Sequence, residues 1–277
     1  MLKLMYITKN PEIARIAEGV GVDWIFVDME YIGKDARQRG LNTVQNHHTV
    51  NDIKNIKQSL NKSKVLVRVN PIDDTIPNYY SSKEEIDAAI EAGADILMLP
   101  YFKTVEEVNK FISYVDGRAK TILLVETIES TELIDEILEI PGIDMVYLGL
   151  NDLHLQLGMK FMFELLTDGT VERLGKKIIE KGIPFGFGGI ATLDGGAVPG
   201  AMVLKEHYRL GSSMVIVSRS FCNTDIVTDI KEVKRIFTDG IKAIRCLEEE
   251  AQSASQEYFE SNRLEVVEAV KRIIGAC

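Results

Sequence analysis

Short blocks of apolar residues recur along the chain, each followed by a stretch in which apolar residues return every three or four positions. The blocks lie at residues 4–8, 24–28, 65–69, 96–100, 122–126, 145–149, 185–189 and 214–219. The stretches behind them predict helices over 11–19, 50–60, 83–92, 105–114 and 130–138, one ending near 181, one over 201–210, and a long helical region from 225. Pro11 suits a first helical turn, where its missing N–H costs nothing, and Ser130 is a candidate N-cap. Within the blocks the apolar runs are nearly continuous rather than alternating, as expected of parallel strands buried on both faces. Eight strand–helix units predict closure into a (β/α)8 TIM barrel, with an open doubly wound sheet as the alternative. No linker-like stretch divides the chain, so residues 1–277 are read as one barrel domain. Residues 225–277 supply the last barrel helix and a C-terminal helical extension. The acidic run Glu248-Glu-Glu250 and the apolar positions Leu264, Val267, Val270 and Ile273 fit a capping helix or one that packs on a neighbouring subunit.

Composition and charge narrow this picture. The longest apolar runs, such as Thr121-Ile-Leu-Leu-Val125, fall far short of the roughly 18–20 residues of a membrane span. Residues 1–8 read as a first strand and not as a signal peptide. The cysteines, Cys222, Cys246 and Cys277, are too widely spaced for a disulfide framework or a zinc motif, which suits a reducing cytoplasm. A formal net charge of −10 at pH 7 argues against nucleic acid or an anionic membrane as partner. An anionic substrate would then be held by local positive charge, a metal or backbone N–H groups.

In a barrel the C-terminal strand ends converge on one site, and here they turn polar. Strand two ends in Val27-Asp-Met-Glu30, strand three carries Arg68, and strand five ends in Glu126. Strand six ends in Gly149-Leu-Asn-Asp152, strand seven in Gly186-Phe-Gly-Gly189 and strand eight in Ser218-Arg219. Glu126 and Asp152, on adjacent strands with no cysteine near, suit a hard oxygen-preferring cation such as Mg²⁺ or Mn²⁺. Arg68 on a buried strand needs an anion beside it, either a substrate or one of these carboxylates in a structural ion pair. Spacing leaves both readings open.

Five segments in order resemble the HpcH/HpaI aldolase and citrate lyase family of metal-dependent barrels. They are Gly21-Val-Asp-Trp-Ile-Phe-Val-Asp-Met-Glu30, Val67-Arg-Val-Asn-Pro71, Ala92-Gly-Ala-Asp-Ile-Leu-Met-Leu-Pro100, Leu124-Val-Glu-Thr127 and Pro141-Gly-Ile-Asp-Met-Val-Tyr-Leu-Gly-Leu-Asn-Asp-Leu153. The resemblance implies that Glu126 and Asp152 bind a divalent cation, Mg²⁺ or else Mn²⁺ or Co²⁺. That cation would chelate pyruvate or a similar 2-oxo acid as a metal-bound enolate, with Arg68 stabilising the enolate oxygen and Glu30 orienting metal-bound water. It further implies a carbon–carbon lyase taking a small 2-oxo acid and an aldehyde, a cytoplasmic homo-oligomer that exchanges C-terminal helices. The alternatives are an acyl-CoA lyase resembling the citrate lyase β-subunit and a metal-binding barrel that has lost catalysis.

The chain departs from the family pattern at several points. Tyr31 stands where the family's proton-transfer histidine follows Asp-x-Glu, and Glu91 stands for an acidic partner that is Asp in the family. An insertion then carries Asn46-His-His48, with Asp52 four residues beyond His48, so His47 or His48 would take the missing histidine's role or cap a helix on a polar loop. His154 follows Asp152-Leu153 and would face the site or bond to backbone. The glycine-rich run from Gly188 and Gly189 to Gly200 would wrap a phosphate or a second carboxylate with Arg219, or be a long ordered loop. Gly149 and Asn151 complete the expected substrate-binding set. Trp24 and the methionines read as core, and His207 as lying outside the site.

Overall fold

In the computed structural model, residues 1–32, 47–73 and 81–275 are described. Cys277 and Asn46 lie outside them. Strands β1 (Lys3–Ile7), β2 (Trp24–Asp28), β3 (Lys64–Arg68), β4 (Ile96–Leu99), β5 (Lys120–Val125), β6 (Met145–Leu148), β7 (Phe185–Ile190) and β8 (Met214–Val217) pair in parallel, in sequence order. Pairing of β8 with β1 closes the barrel and excludes the doubly wound sheet. Helices α1 (Pro11–Gly19), α2 (Val50–Ser59), α3 (Ser82–Glu91), α4 (Val105–Val115), α5 (Ile128–Glu132) and α6 (Ile134–Ile137) cover the first half. Helices α7 (Leu150–Gln156), α8 (Glu164–Thr167), α9 (Thr170–Glu180), α10 (Gly200–Arg209), α11 (Ile230–Gln252) and α12 (Gln256–Ile274) cover the second.

The helix starts obey capping chemistry. Asn10 caps α1 with Pro11 in its first turn, and Thr49, Ser81 and Thr104 form capping boxes at α2, α3 and α4. Ser130 is not the N-cap expected of it: Thr127 caps α5, and Ser130 is the reciprocal partner three residues on. The C-terminal extension is helical as expected. Its helix α12 lies on its own barrel, against α10 and α8. Among the described residues no helix is long and apolar enough to cross a membrane.

At the N-terminal end of the strands one small motif recurs. Gly21-Val-Asp23, Gly93-Ala-Asp95 and Gly142-Ile-Asp144 precede β2, β4 and β6, each glycine with positive φ (95°, 109° and 94°). Each aspartate accepts a backbone N–H from the preceding odd strand, at Leu4, Val65 and Thr121 (3.0, 2.8 and 2.9 Å). Each also pairs with the lysine that opens that strand, Lys3, Lys64 or Lys120. The fourth such turn, Gly211-Ser-Ser213 before β8, lacks the carboxylate.

Candidate active site

Successive strand residues point to opposite faces, and this alternation aims the chemistry. Trp24 and Phe26 on β2, Leu66 on β3, Ile122 and Leu124 on β5 and Tyr147 on β6 belong to the cluster that fills the barrel lumen. The next residues of the same parity are Asp28, Arg68, Glu126 and Gly149. They line a cavity of about 450 Å³ at the C-terminal strand ends, over a floor of Ile7, Phe26, Met98, Leu124, Tyr147 and Ile216. Asn151, Asp152, Gly188, Gly189, Ser218 and Arg219 also line it. A low-polarity floor under charged walls strengthens every electrostatic contact above it.

Asp28 and Arg68 are cross-strand partners in the β2–β3 register. Arg68 grips the carboxylate with two donors, Nε to Oδ1 and Nη2 to Oδ2, both at 2.8 Å. Its Nη1 lies 3.3 Å from Glu30 Oε2, and its guanidinium stands 5.6 Å from the Phe26 ring centre. Burial works against the charge on Arg68, but Asp28, Glu30 and Glu126 outweigh it and hold the pKa well above its ordinary value. Asp28 and Glu30 are fully buried, so this is a structural ion pair, though with Asp28 and not with Glu126 or Asp152. The guanidinium still lines the cavity.

Glu126 is held on several sides. Tyr101 adopts a left-handed backbone (φ 49°) that turns its N–H onto Glu126 Oε1 at 3.1 Å, and Gln156 Nε2 donates to the Glu126 carbonyl. Gly149 leaves the carboxylate its space, because a Cβ there would stand 2.6 Å from Glu126 Oε2. Asp152, in the first turn of α7, lines the main cavity and an adjoining one of about 170 Å³ beside Tyr101, Leu155 and Gln156. Among the described residues no histidine or cysteine lines the main cavity, and no cluster of three or more His, Cys, Asp or Glu could hold a metal ion. Two carboxylates lining one cavity are oxygen donors of the kind Mg²⁺ or Mn²⁺ prefers, and not the cysteine and histidine set of structural zinc.

On the opposite wall Arg219 is half-buried, and desolvation lowers its pKa, with Asp225, Asp28 and Tyr6 opposing that shift. At the far end of the run from Gly188 to Gly200 the backbone N–H groups are committed within the protein. The Gly200, Ala201 and Met202 N–H groups that open α10 donate to the carbonyls of Gly195, Leu193 and Pro199. Its glycines instead allow close approach: a Cβ on Gly200 would meet the Thr192 carbonyl oxygen at 2.5 Å.

Other expected site residues lie elsewhere. Glu91 ends α3 and is exposed. Helices run antiparallel to the strands, so it sits at the far end of the barrel from the cavity. The buried acidic residue at the cavity end of α3 is Glu85, beside the capping Glu84, and sequence reasoning missed it. Buried, it accepts from Asn70 Nδ2 (2.9 Å), while Asn70 Oδ1 receives the N–H groups of Tyr31 and Ile32 and so fixes the chain after Glu30. His48 is buried but does not line the cavity. Its Nδ1 accepts the Asp28 N–H at 3.0 Å, so any proton on the neutral ring is on Nε2. Asp52 serves the Thr49 capping box rather than pairing with His48. His47 is exposed, its ring 5.8 Å from that of Tyr31. His154 Nδ1 donates to the Leu150 carbonyl, the backbone role expected of it, though from within α7 rather than from a loop. His207 lies outside the cavity, stacked on Phe187.

The sequence profile described as HpcH/HpaI aldolase/citrate lyase matches residues 3–164. No curated protein matches the chain. Among solved structures it is similar to an HpcH/HpaI aldolase from Desulfitobacterium hafniense DCB-2, at 18% identity and a TM-score of 0.60, over 84% of this chain and 93% of that one. An HpcH/HpaI aldolase/citrate lyase family protein from Burkholderia cenocepacia J2315 shares 16% identity with a TM-score of 0.62, over 84% and 94%. Citrate Synthase SbnG shares 15% with a TM-score of 0.59, over 84% and 92%. At these identities the likenesses establish the fold.

Proposed function

Because the chain belongs to the HpcH/HpaI aldolase/citrate lyase family, we propose that it is a divalent-metal-dependent aldolase that makes or breaks the carbon–carbon bond beside a 2-oxo acid such as pyruvate. The observation that carries this reading is one cavity, about 450 Å³, that gathers Glu126, Asp152, Arg68 and Arg219 over an apolar floor. Glu126 and Asp152 hold the cation, which when bound supplies Lewis acidity toward the oxygens of the oxo acid. Glu126 is aimed by the Tyr101 N–H and given room by Gly149. Arg68, clamped on Asp28, is a positive charge already in place where negative charge develops on the substrate, so it needs no reorganisation at that moment. Asp28 and Glu30 keep that guanidinium charged and oriented. Arg219 faces the same space from β8 and attracts an anionic group on the substrate. The lumen side chains beneath exclude water. His48, whose Nδ1 is committed to the Asp28 N–H, orients the end of β2 rather than taking a proton through that nitrogen.

The test is deuterium exchange at the methyl group of pyruvate, with and without Mg²⁺, Mn²⁺ and Co²⁺. Metal-dependent exchange that falls by about 10²-fold or more in Arg68→Ala is the expected result. No exchange with any metal overturns the aldolase reading and turns attention to thioester substrates or a barrel that binds without catalysing.

A further inference from the structure

The wall formed by β7 is irregular where it meets the cavity. Gly186 pairs with Met214 and Gly189 with Ile216, so three steps along β7 answer two along β8. One residue is extra, a β-bulge, and Gly188 takes it up with a left-handed φ of 52°. The bulge reverses the facing of the residues after it. Phe185, Phe187 and Ile190 all pack in the outer core under the helices, while Gly188 and Gly189 both line the cavity. On an unbroken strand Ile190 would share the inward face with Gly186 and Gly188 and project into the cavity.

A bulge disrupts the ladder, and a buried N–H left unpaired is costly. Here the groups it releases are met from the neighbouring strand. Tyr147, on β6, puts its hydroxyl 2.5 Å from the Gly188 carbonyl oxygen and 3.1 Å from that of Phe187, and accepts the Ile216 N–H at 3.0 Å. Gly186 makes room for the ring, since a Cβ there would stand 2.6 Å from Tyr147 Cε2. Burial pushes the phenol pKa up, so the hydroxyl stays protonated and able to donate. With its donor and acceptor both committed to backbone, it is not placed to exchange a proton with substrate.

We propose that Tyr147 is a positioning residue whose hydroxyl staples the β7 bulge, keeps Ile190 out of the cavity and thereby sets the size of acceptor the site admits. The last clause rests on the aldolase reading; the staple itself does not. Removing the hydroxyl orphans the Ile216 N–H and the Gly188 carbonyl. The regular register, which needs no such partner, then becomes the better arrangement, and it brings Ile190 inward.

A crystal structure of Tyr147→Phe tests the staple with no substrate. Ile190 turned into the cavity supports it, even if no aldol activity is found. A bulge unchanged, with Ile190 still under the helices, overturns it. If Tyr147→Phe does not fold, Gly188→Ala attacks the same bulge from its own strand, by straining the left-handed residue, and is judged by the same two outcomes. The specificity clause is read from pyruvate addition to glycolaldehyde and to benzaldehyde. In Tyr147→Phe, kcat/KM for benzaldehyde is expected to fall about tenfold more than for glycolaldehyde, the low end of what one methylene of pocket space is worth. The double variant Tyr147→Phe/Ile190→Ala is expected to restore most of that difference, because it removes the side chain that intrudes. Equal losses for both aldehydes, or no rescue by Ile190→Ala, overturn the role in specificity.

Discussion

At the N-terminal end of the strands, Asp23, Asp95 and Asp144 do the same job three times over, each capping a backbone N–H and pairing with the lysine of a neighbouring strand. At the C-terminal end, Asp28, Glu126 and Asp152 each do something different. One is clamped by Arg68, one is aimed by a left-handed tyrosine, and one opens a short helix. The lysines below are more than half exposed, whereas Asp28 and Glu30 above are fully buried. Repetition at exposed positions is how the fold closes its turns, and such pairs contribute little energy. Buried charges that differ from strand to strand and meet in one cavity carry a desolvation cost that closing a barrel does not require. The contrast marks which end does chemistry.

The largest effect that would break this contrast is at Arg68. Arg68→Ala leaves Asp28 and Glu30 buried without their cation, so a loss of about 3–5 kcal/mol in urea unfolding is expected, along with loss of activity. Restoring part of that stability with Arg68→Met/Asp28→Asn, still inactive, would separate the two roles. Next comes Glu126→Gln, nearly the same in shape. Metal-dependent exchange should fall about 10³-fold while the thermal midpoint holds, because the Tyr101 N–H keeps an acceptor. A smaller effect concerns His207, whose pKa burial pushes down to about 3. Between that value and the ordinary one near 6.5 the unfolded chain binds a proton that the folded chain refuses. Stability therefore falls as pH drops through this window, by up to about 1.4 kcal/mol per unit. Urea midpoints at pH 7, 5 and 4 should show a steeper decline in the wild type than in His207→Asn. Smallest is Asp144→Ala at the far end, expected to cost about 1 kcal/mol with no change in kcat/KM.

Much of this was legible in the sequence. Continuous apolar blocks between amphipathic stretches give the barrel directly, and a polar residue breaking the inward-facing parity at a strand's end marks Asp28, Arg68 and Glu126. The errors have physical reasons. Thr127 and Ser130 are both capping residue types three apart, so the box reads equally well from either end. Glu91 and Glu85 share one helix, and only the helix direction decides between them. Gly93, just past Glu91, marks the helix end and hence the far face of the barrel. His48 and Asp52 have a suggestive spacing, but Thr49 claims the aspartate for its cap. The β7 bulge was not legible, because Phe-Gly-Phe-Gly-Gly permits an extra residue without saying where. The hydroxyl that fixes it comes from Tyr147, 41 positions before Gly188.

The most direct test of the division between the two ends is Mn²⁺ titration followed by electron paramagnetic resonance. It compares the wild type, Glu126→Gln at the cavity and Asp144→Asn at the opposite face. A tight Mn²⁺ site that is lost in Glu126→Gln and kept in Asp144→Asn is the predicted result. A site that survives Glu126→Gln, or disappears with Asp144→Asn, would contradict the account.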